Sequence, residues 1–197
     1  MIKLLLGISV LGCVGISAAA TAGENSGVYI FGAAGQSQKS TITNENQDAF
    51  SLFAGYQFNR KWAIEAGYVD IGASTYSGNI TVGSATGTAN LSTKSSATSL
   101  TAVRTWNVPD NFGNNGFSFL AKFGVAEVRS SATGSISIPT FFSAAQNYSK
   151  NGITFGLGGK YDLDQNWAIR ADADSYDSGQ FAYGRIPVYT LGLSYKF

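Results

Sequence analysis

The chain has 197 residues, of which only 13% are charged, with 24 glycines, 13 basic residues against 12 acidic, and no histidine. That charged share is about half the ~25% of ordinary soluble domains, yet no apolar run of about 20 residues follows the first two dozen positions, which excludes a helical membrane span. The near-zero net charge gives no footing for a nucleic-acid partner, and the length suits one domain of modest size.

At the amino terminus Lys3 precedes the apolar run 4–16, and small residues lead to Ala20-Thr21-Ala22 before Gly23. This is the layout of a secretory leader with an A-x-A cleavage site. Residues 1–22 are therefore expected to be a signal peptide and 23–197 the mature domain. The alternative is a loose lipoprotein box, Val10-Leu11-Gly12-Cys13, in which Cys13 would be acylated; it leaves a short apolar segment and strands the A-x-A site downstream. Cleavage after Ala22 removes the only cysteine, so the mature chain has neither a disulfide nor thiol chemistry. It also removes Lys3 and leaves 12 basic residues against 12 acidic.

Low charge without long apolar runs leaves alternating strands as the way to hide the apolar residues. Residues 27–36 form a first short apolar strand whose facing is open, because both parities carry apolar side chains. A polar stretch, 37–48, reads as a loop. Phe50, Leu52, Ala54, Tyr56 and Phe58 then share one face against Ser51, Gly55 and Gln57, with Phe53 a misfit. After the tight turn 59–61, a third strand shows Trp62, Ile64, Ala66 and Tyr68 outside and Ala63, Glu65, Gly67 and Val69 inside. The Ser/Thr/Gly tract 72–95 is expected to be a wide loop. A fourth strand, about 97–106, sets Leu100, Ala102 and Trp106 against Ser99, Thr101, Val103 and Thr105. Arg104 falls on its lipid-facing parity near the end, where an arginine can snorkel.

Residues 107–116 are dense in turn formers. The fifth strand places Phe117, Phe119, Ala121, Phe123 and Val125 opposite Ser118, Leu120, Lys122, Gly124 and Ala126. A second long polar loop is expected over 130–149. The sixth strand sets Ile153, Phe155, Leu157, Gly159 and Tyr161 against Thr154, Gly156, Gly158 and Lys160, and the turn 162–166 follows. In the seventh, Trp167, Ile169, Ala171 and Ala173 face out while Ala168, Arg170, Asp172 and Asp174 face in. A loop at 177–184 leads to the final strand, where Tyr189, Leu191, Leu193, Tyr195 and Phe197 alternate with Thr190, Gly192, Ser194 and Lys196. Aromatic rings at both ends of an apolar face are the profile of a strand crossing a bilayer.

Connections that alternate long and short, with both chain ends on the short side, predict an all-β, up-and-down, antiparallel transmembrane barrel of eight strands, closed because an open edge in hydrocarbon leaves backbone groups unsatisfied. Trp62, Trp106 and Trp167 each adjoin a short turn, where an interfacial aromatic girdle belongs. Lys61-Trp62-Ala63-Ile64-Glu65-Ala66 and Asn166-Trp167-Ala168-Ile169-Arg170-Ala171 repeat one pattern four strands apart. This places Glu65 and Arg170 at similar height on opposite walls. Such a barrel is just wide enough for side chains to fill it, so Glu65, Arg170, Lys122, Lys160 and Asp172 are the expected luminal charge network.

Residues 23–197 resemble the OmpA-type eight-stranded outer-membrane barrels. The likeness rests on residues 65–72, E-A-G-Y-V-D-I-G, similar to that family's E-x-G-Y-x-x-x-G strand, and on the terminal Tyr195-Lys196-Phe197. It implies inward charges on strands three, five and seven, at Glu65, Lys122 and Arg170. Val103 stands where the family often carries an inward base on strand four. The resemblance also implies a bacterial outer-membrane location, contact with membrane lipid, and an assembly signal at Tyr195 and Phe197 for the outer-membrane barrel assembly machinery. The barrel is expected to stand without the peptidoglycan-binding domain of many relatives.

The expected role is structural or surface-interacting, with a lumen plugged by polar groups and long external loops. The alternatives are a small-solute or ion pore and an adhesin acting through its loops on a host or surface ligand. No enzyme is expected, since the chain lacks the histidine that barrel hydrolases use to activate serine or water. No cofactor, metal or catalytic residue is indicated. Mass spectrometry of the mature protein should find Gly23 first, and an acylated Cys13 would refute that. Deleting Phe197 should lower outer-membrane insertion and raise periplasmic degradation; an unchanged folded yield in cells would remove the assembly role.

Overall fold

Eight strands follow one another as antiparallel neighbours: β1 (Gly27–Gln38), β2 (Asn46–Asn59), β3 (Trp62–Val82), β4 (Ala85–Asn107), β5 (Phe117–Ile138), β6 (Thr140–Asp162), β7 (Trp167–Asp177) and β8 (Arg185–Lys196). The structure is a computed structural model that describes residues 26–38, 46–82, 85–108, 116–138, 140–177 and 184–197. The expected leader with Cys13 lies outside them, as do parts of the expected connections at 39–45, 83–84, 109–115 and 178–183. β8 pairs with β1 from Tyr29↔Lys196 to Ser37↔Val188, which closes the barrel.

The two-residue period sorts side chains as the sequence predicts. Leu52, Tyr68, Leu100, Phe123, Leu157 and Leu191 lie on the outer surface, whereas Ala63, Glu65, Val69, Leu120, Lys122 and Arg170 are buried inside. The open facing of β1 is decided by Tyr29 and Phe31, which point inward while Ile30 points out. Phe53 is no misfit. It lies inside, stacked on Phe31 with centroids 6.0 Å apart, and packs over Gly67 directly across the β2–β3 ladder.

The filling of the lumen is layered. Tyr29, Ala63, Val103 and Leu120 cluster nearest the chain ends. Farther along the barrel a larger apolar cluster gathers Phe31, Phe53, Val69, Ile71, Val128, Tyr176, Ile186 and Val188 among others.

The two expected polar loops are strands instead. Residues 72–82 continue β3, 85–95 belong to β4, 130–138 continue β5 and 140–149 belong to β6. The ladders continue to Val82↔Ala85, Thr88↔Ser137 and Ile138↔Thr140. Serine and threonine tracts read as loops because strands with water on both faces carry no apolar alternation, although threonine itself suits a strand. β2 pairs with β3 only as far as Phe50↔Asp70, and β7 meets β6 only from Thr154↔Tyr176. Beyond those levels β3–β4–β5–β6 form a four-stranded sheet standing past the barrel on the side away from the chain ends. Its departure is marked by a bulge at Asp70/Gly72, where Gly72 has φ 96° and its N–H donates to Asp70 Oδ1 at 3.0 Å. A Cβ there would be strained by φ and would meet the Asp48 carbonyl oxygen at 2.6 Å.

The tryptophan repeat extends into its turns. Asn59 Oδ1 accepts from the N–H groups of Lys61 (2.9 Å) and Trp62 (3.0 Å), and Asp164 Oδ1 accepts from Asn166 and Trp167, both at 2.7 Å. Each side chain thus launches the strand that starts at its tryptophan. The Trp167 and Asn166 N–H groups hold the Asp164 carboxyl below the usual range. The stabilisation is therefore complete above the ordinary aspartate value near 3.9 and is lost as pH falls through the lower folded value. Amide NMR shifts of Asn166 and Trp167 should move on acidification below about pH 4, while those of Lys61 and Trp62, capped by a neutral amide, should stay flat. Phe53→Ala should cost about 3–5 kcal/mol in reversible unfolding from detergent. The outward Phe123→Ala should cost clearly less, and equal losses would contradict the inward placement of Phe53.

Candidate functional site in the barrel lumen

Between the two apolar clusters, inward positions on β3, β5 and β7 carry charge. Glu65 receives Arg170 in a two-point pair, Nη1 to Oε1 at 2.5 Å and Nη2 to Oε2 at 3.1 Å, and its Oε1 also accepts from Tyr29 OH at 2.6 Å. Asp172 takes the other edge of the guanidinium, with Arg170 Nε to Oδ1 at 3.0 Å and Nη2 to Oδ2 at 2.9 Å. Lys122 then joins Asp172 at 2.8 Å and Asp174 at 2.6 Å. One continuous chain runs Tyr29–Glu65–Arg170–Asp172–Lys122–Asp174, and every member is buried. Arg170 also lies over the Phe31 ring at 4.5 Å and Lys122 over Phe53 at 4.8 Å, so the ionic layer rests directly on the aromatic plug.

Four of the five residues predicted for this network meet there: Glu65, Lys122, Arg170 and Asp172. Lys160 does not. It lies across the ladder from Arg170, a like charge, and pairs instead with Asp162 at 2.8 Å at the half-exposed turn-side mouth. There it shares a small vestibule of about 70 Å³ with Lys196, floored by Arg170 and Tyr29, with room for a few waters. Asp174 takes the place the sequence reading gave Lys160, and Tyr29 enters from a strand whose facing the sequence left open.

Glycine could have pointed to both. Each side chain of the network has a glycine directly across a ladder: Tyr29 and Glu65 face Gly55, Lys122 and Asp174 face Gly156, Asp172 faces Gly158, and Arg170 faces Gly192. A Cβ on Gly55 would collide with the Tyr29 ring, and one on Gly156 or Gly158 with the Asp174 or Asp172 carboxylate. In so narrow a lumen these missing side chains are the space the network occupies.

Three carboxylates meet two cations in the buried layer. Each charge is tolerated through its partners, since an unpaired ion in a water-poor interior costs several kcal/mol.

Outside, Trp62, Trp106 and Trp167 lie at the turn-side ends of β3, β4 and β7, each roughly half exposed. Arg104 sits between the first two, 4.8 Å from the Trp62 ring and 5.6 Å from that of Trp106. Trp167, Tyr195 and Phe197 continue the girdle edge to face, at 4.8 and 5.0 Å, and the Phe197 N–H donates to Val28 O at 3.0 Å.

Among solved structures, the chain resembles the N-terminal β-barrel domain of Pseudomonas aeruginosa OprF at 16% identity, covering 88% of this chain and 100% of that one with a TM-score of 0.53. OprG from the same organism matches at 15% identity, over 89% and 98% of the two chains, with a TM-score of 0.52. Ail, the attachment invasion locus protein of Yersinia pestis, solved with the heparin analogue sucrose octasulfate, matches at 17% identity over 87% and 97%, with a TM-score of 0.52. At such identities these likenesses establish the fold. No curated protein matches the sequence. The family model described as outer membrane protein beta-barrel domain matches residues 7–197, nearly the whole chain. The chain therefore belongs to the outer-membrane β-barrel family and is a protein of the bacterial outer membrane.

Proposed function

We propose that the protein is a barrel closed to steady conduction, which contributes to the outer membrane as a structural and surface-interacting element. The observation that carries this reading is the ionic layer held between two apolar clusters. A solute path would have to break the Glu65–Arg170 pair and pass the stacked Phe31 and Phe53 rings. In planar bilayers the native protein should give little steady conductance, and Glu65→Ala should add only brief openings. Large, stable native channels would overturn the closed reading in favour of a pore.

A second reading, attachment through the external sheet, is favoured by the edges of β3 and β6 that no described strand covers. Unpaired strand edges are templates for a partner's strand. Ail, a barrel of similar fold, is named for attachment. Trimming both hairpins at the level row Ser74–Thr93–Ala132–Gln146 should leave a folded, heat-modifiable barrel that no longer binds host cells. Undiminished binding would refute this reading.

The charge surplus makes the closed lumen asymmetric to mutation. Glu65→Gln leaves two carboxylates with two cations, whereas Arg170→Met leaves three carboxylates with Lys122 alone. Exchanging Glu65 and Arg170 is a poorer test, because a glutamate at 170 would face Asp172. Arg170→Met should cost about 3–5 kcal/mol in reversible unfolding, Glu65→Gln clearly less, and equal costs would show that the groups do not act as one layer.

A further inference from the structure

On the outer face of β4, β5 and β6 the surface changes character at one level. Leu100, Phe123, Val125, Ile153 and Phe155 are all about half exposed or more, as lipid-facing side chains are. The outward positions beyond them are polar: Ser96 and Lys94 on β4, Glu127 and Arg129 on β5, Ser149 and Asn147 on β6. These six line an open dish of about 510 Å³. Register builds it in two adjacent rows, Ser96↔Arg129↔Ser149 and Lys94↔Ser131↔Asn147. Lys94 and Arg129 are thus diagonal neighbours on paired strands, a spacing of about 7–8 Å between backbones.

Neither cation is used up by its carboxylate partner. Glu127 takes Nε and Nη2 of Arg129, each at 3.0 Å, which leaves the Nη1 end of the fork on the opposite edge. Asp70 meets one of the three donors of Lys94 at 3.3 Å. The two side chains remain 65% and 64% exposed, respectively, so a ligand reaches them without rearranging the wall.

We infer that this dish binds the phosphorylated sugar headgroup of an outer-leaflet glycolipid, with a phosphate set between Lys94 and Arg129. A guanidinium fork matches phosphate in two-point geometry and an ammonium supplies a compact charge beside it. The Ser96 and Ser149 hydroxyls and the Asn147 amide suit sugar hydroxyls. A membrane-anchored ligand is favoured over a free one because an apolar track leads straight into the dish. Val125 lies one outward step below Glu127 on β5, and Leu100 and Ile153 flank it across the ladders, offering acyl chains a continuous surface. Basic sites at membrane level recognise lipid headgroups in this way.

The test uses the folded barrel in phosphatidylcholine nanodiscs containing a few per cent diphosphorylated lipid A, read by native mass spectrometry of the released protein. Native protein should retain lipid A. Lys94→Gln/Arg129→Gln should retain at least about tenfold less, the loss of roughly 1.4 kcal/mol or more of binding. Each single variant should fall between, and Lys61→Gln, a cation at the opposite end, should match native protein. Equal retention by the double variant, or equal retention of dephosphorylated lipid A by native protein, would overturn the assignment. The deacylated phosphorylated disaccharide, added at the same concentration, should fail to displace the lipid; full displacement would also overturn it, by showing a site for free sugar phosphates.

Discussion

A backbone N–H or C=O in hydrocarbon has no water to turn to, and everything else in this protein follows from that constraint. The chain meets it by pairing β8 with β1, so that no strand of the barrel proper keeps a free edge in the membrane. Closure with eight strands fixes a narrow lumen, and the two-residue period then sends every second side chain into it. The outside is left to leucine, phenylalanine, valine and tryptophan, which lipid accepts. The inside must be filled by side chains that satisfy one another.

The filling works by alternating materials along the axis. Apolar side chains close the lumen toward both ends, and between them Tyr29, Glu65, Arg170, Asp172, Lys122 and Asp174 share their hydrogen bonds in a single chain. The aromatic plug and the ionic layer are coupled by the two cations that lie over Phe31 and Phe53. Glycine makes the arrangement sterically feasible, since a methyl group on Gly156 or Gly158 would occupy the place of a carboxylate. Charge, ring and glycine therefore form one unit, and a change at any of the three disturbs the other two.

Above the membrane the constraint on the backbone relaxes, because water can satisfy an unpaired strand edge. Among the described residues, β3, β4, β5 and β6 use this freedom, and they continue as a sheet beyond their neighbours. The boundary between the two regimes is visible on one wall, where Val125 and Ile153 give way to Arg129 and Ser149 within four residues of each strand. The outer surface is thus graded from lipid-facing to headgroup-facing to aqueous along continuous strands, which is why an exposed cation pair and an apolar track can share one site.

The sequence alone was enough to determine which side of most strands faces lipid, that eight such strands close, and that Glu65 and Arg170 stand opposite one another, because alternation and the repeated tryptophan motif are local patterns that survive any packing. It could not assign Phe53, since parity says which way a side chain points but not that an aromatic ring is wanted inside. It misread 72–95 and 130–149 as loops, because a strand wet on both faces has no period to read. Which inward charges touch was decided by the tertiary structure: the register of β5, β6 and β7 brings Lys122 to Asp172 and Asp174 and leaves Lys160 at the mouth beside Asp162. Register is set by the pairing of whole strands around a closed ring, and no stretch of residues carries that information by itself.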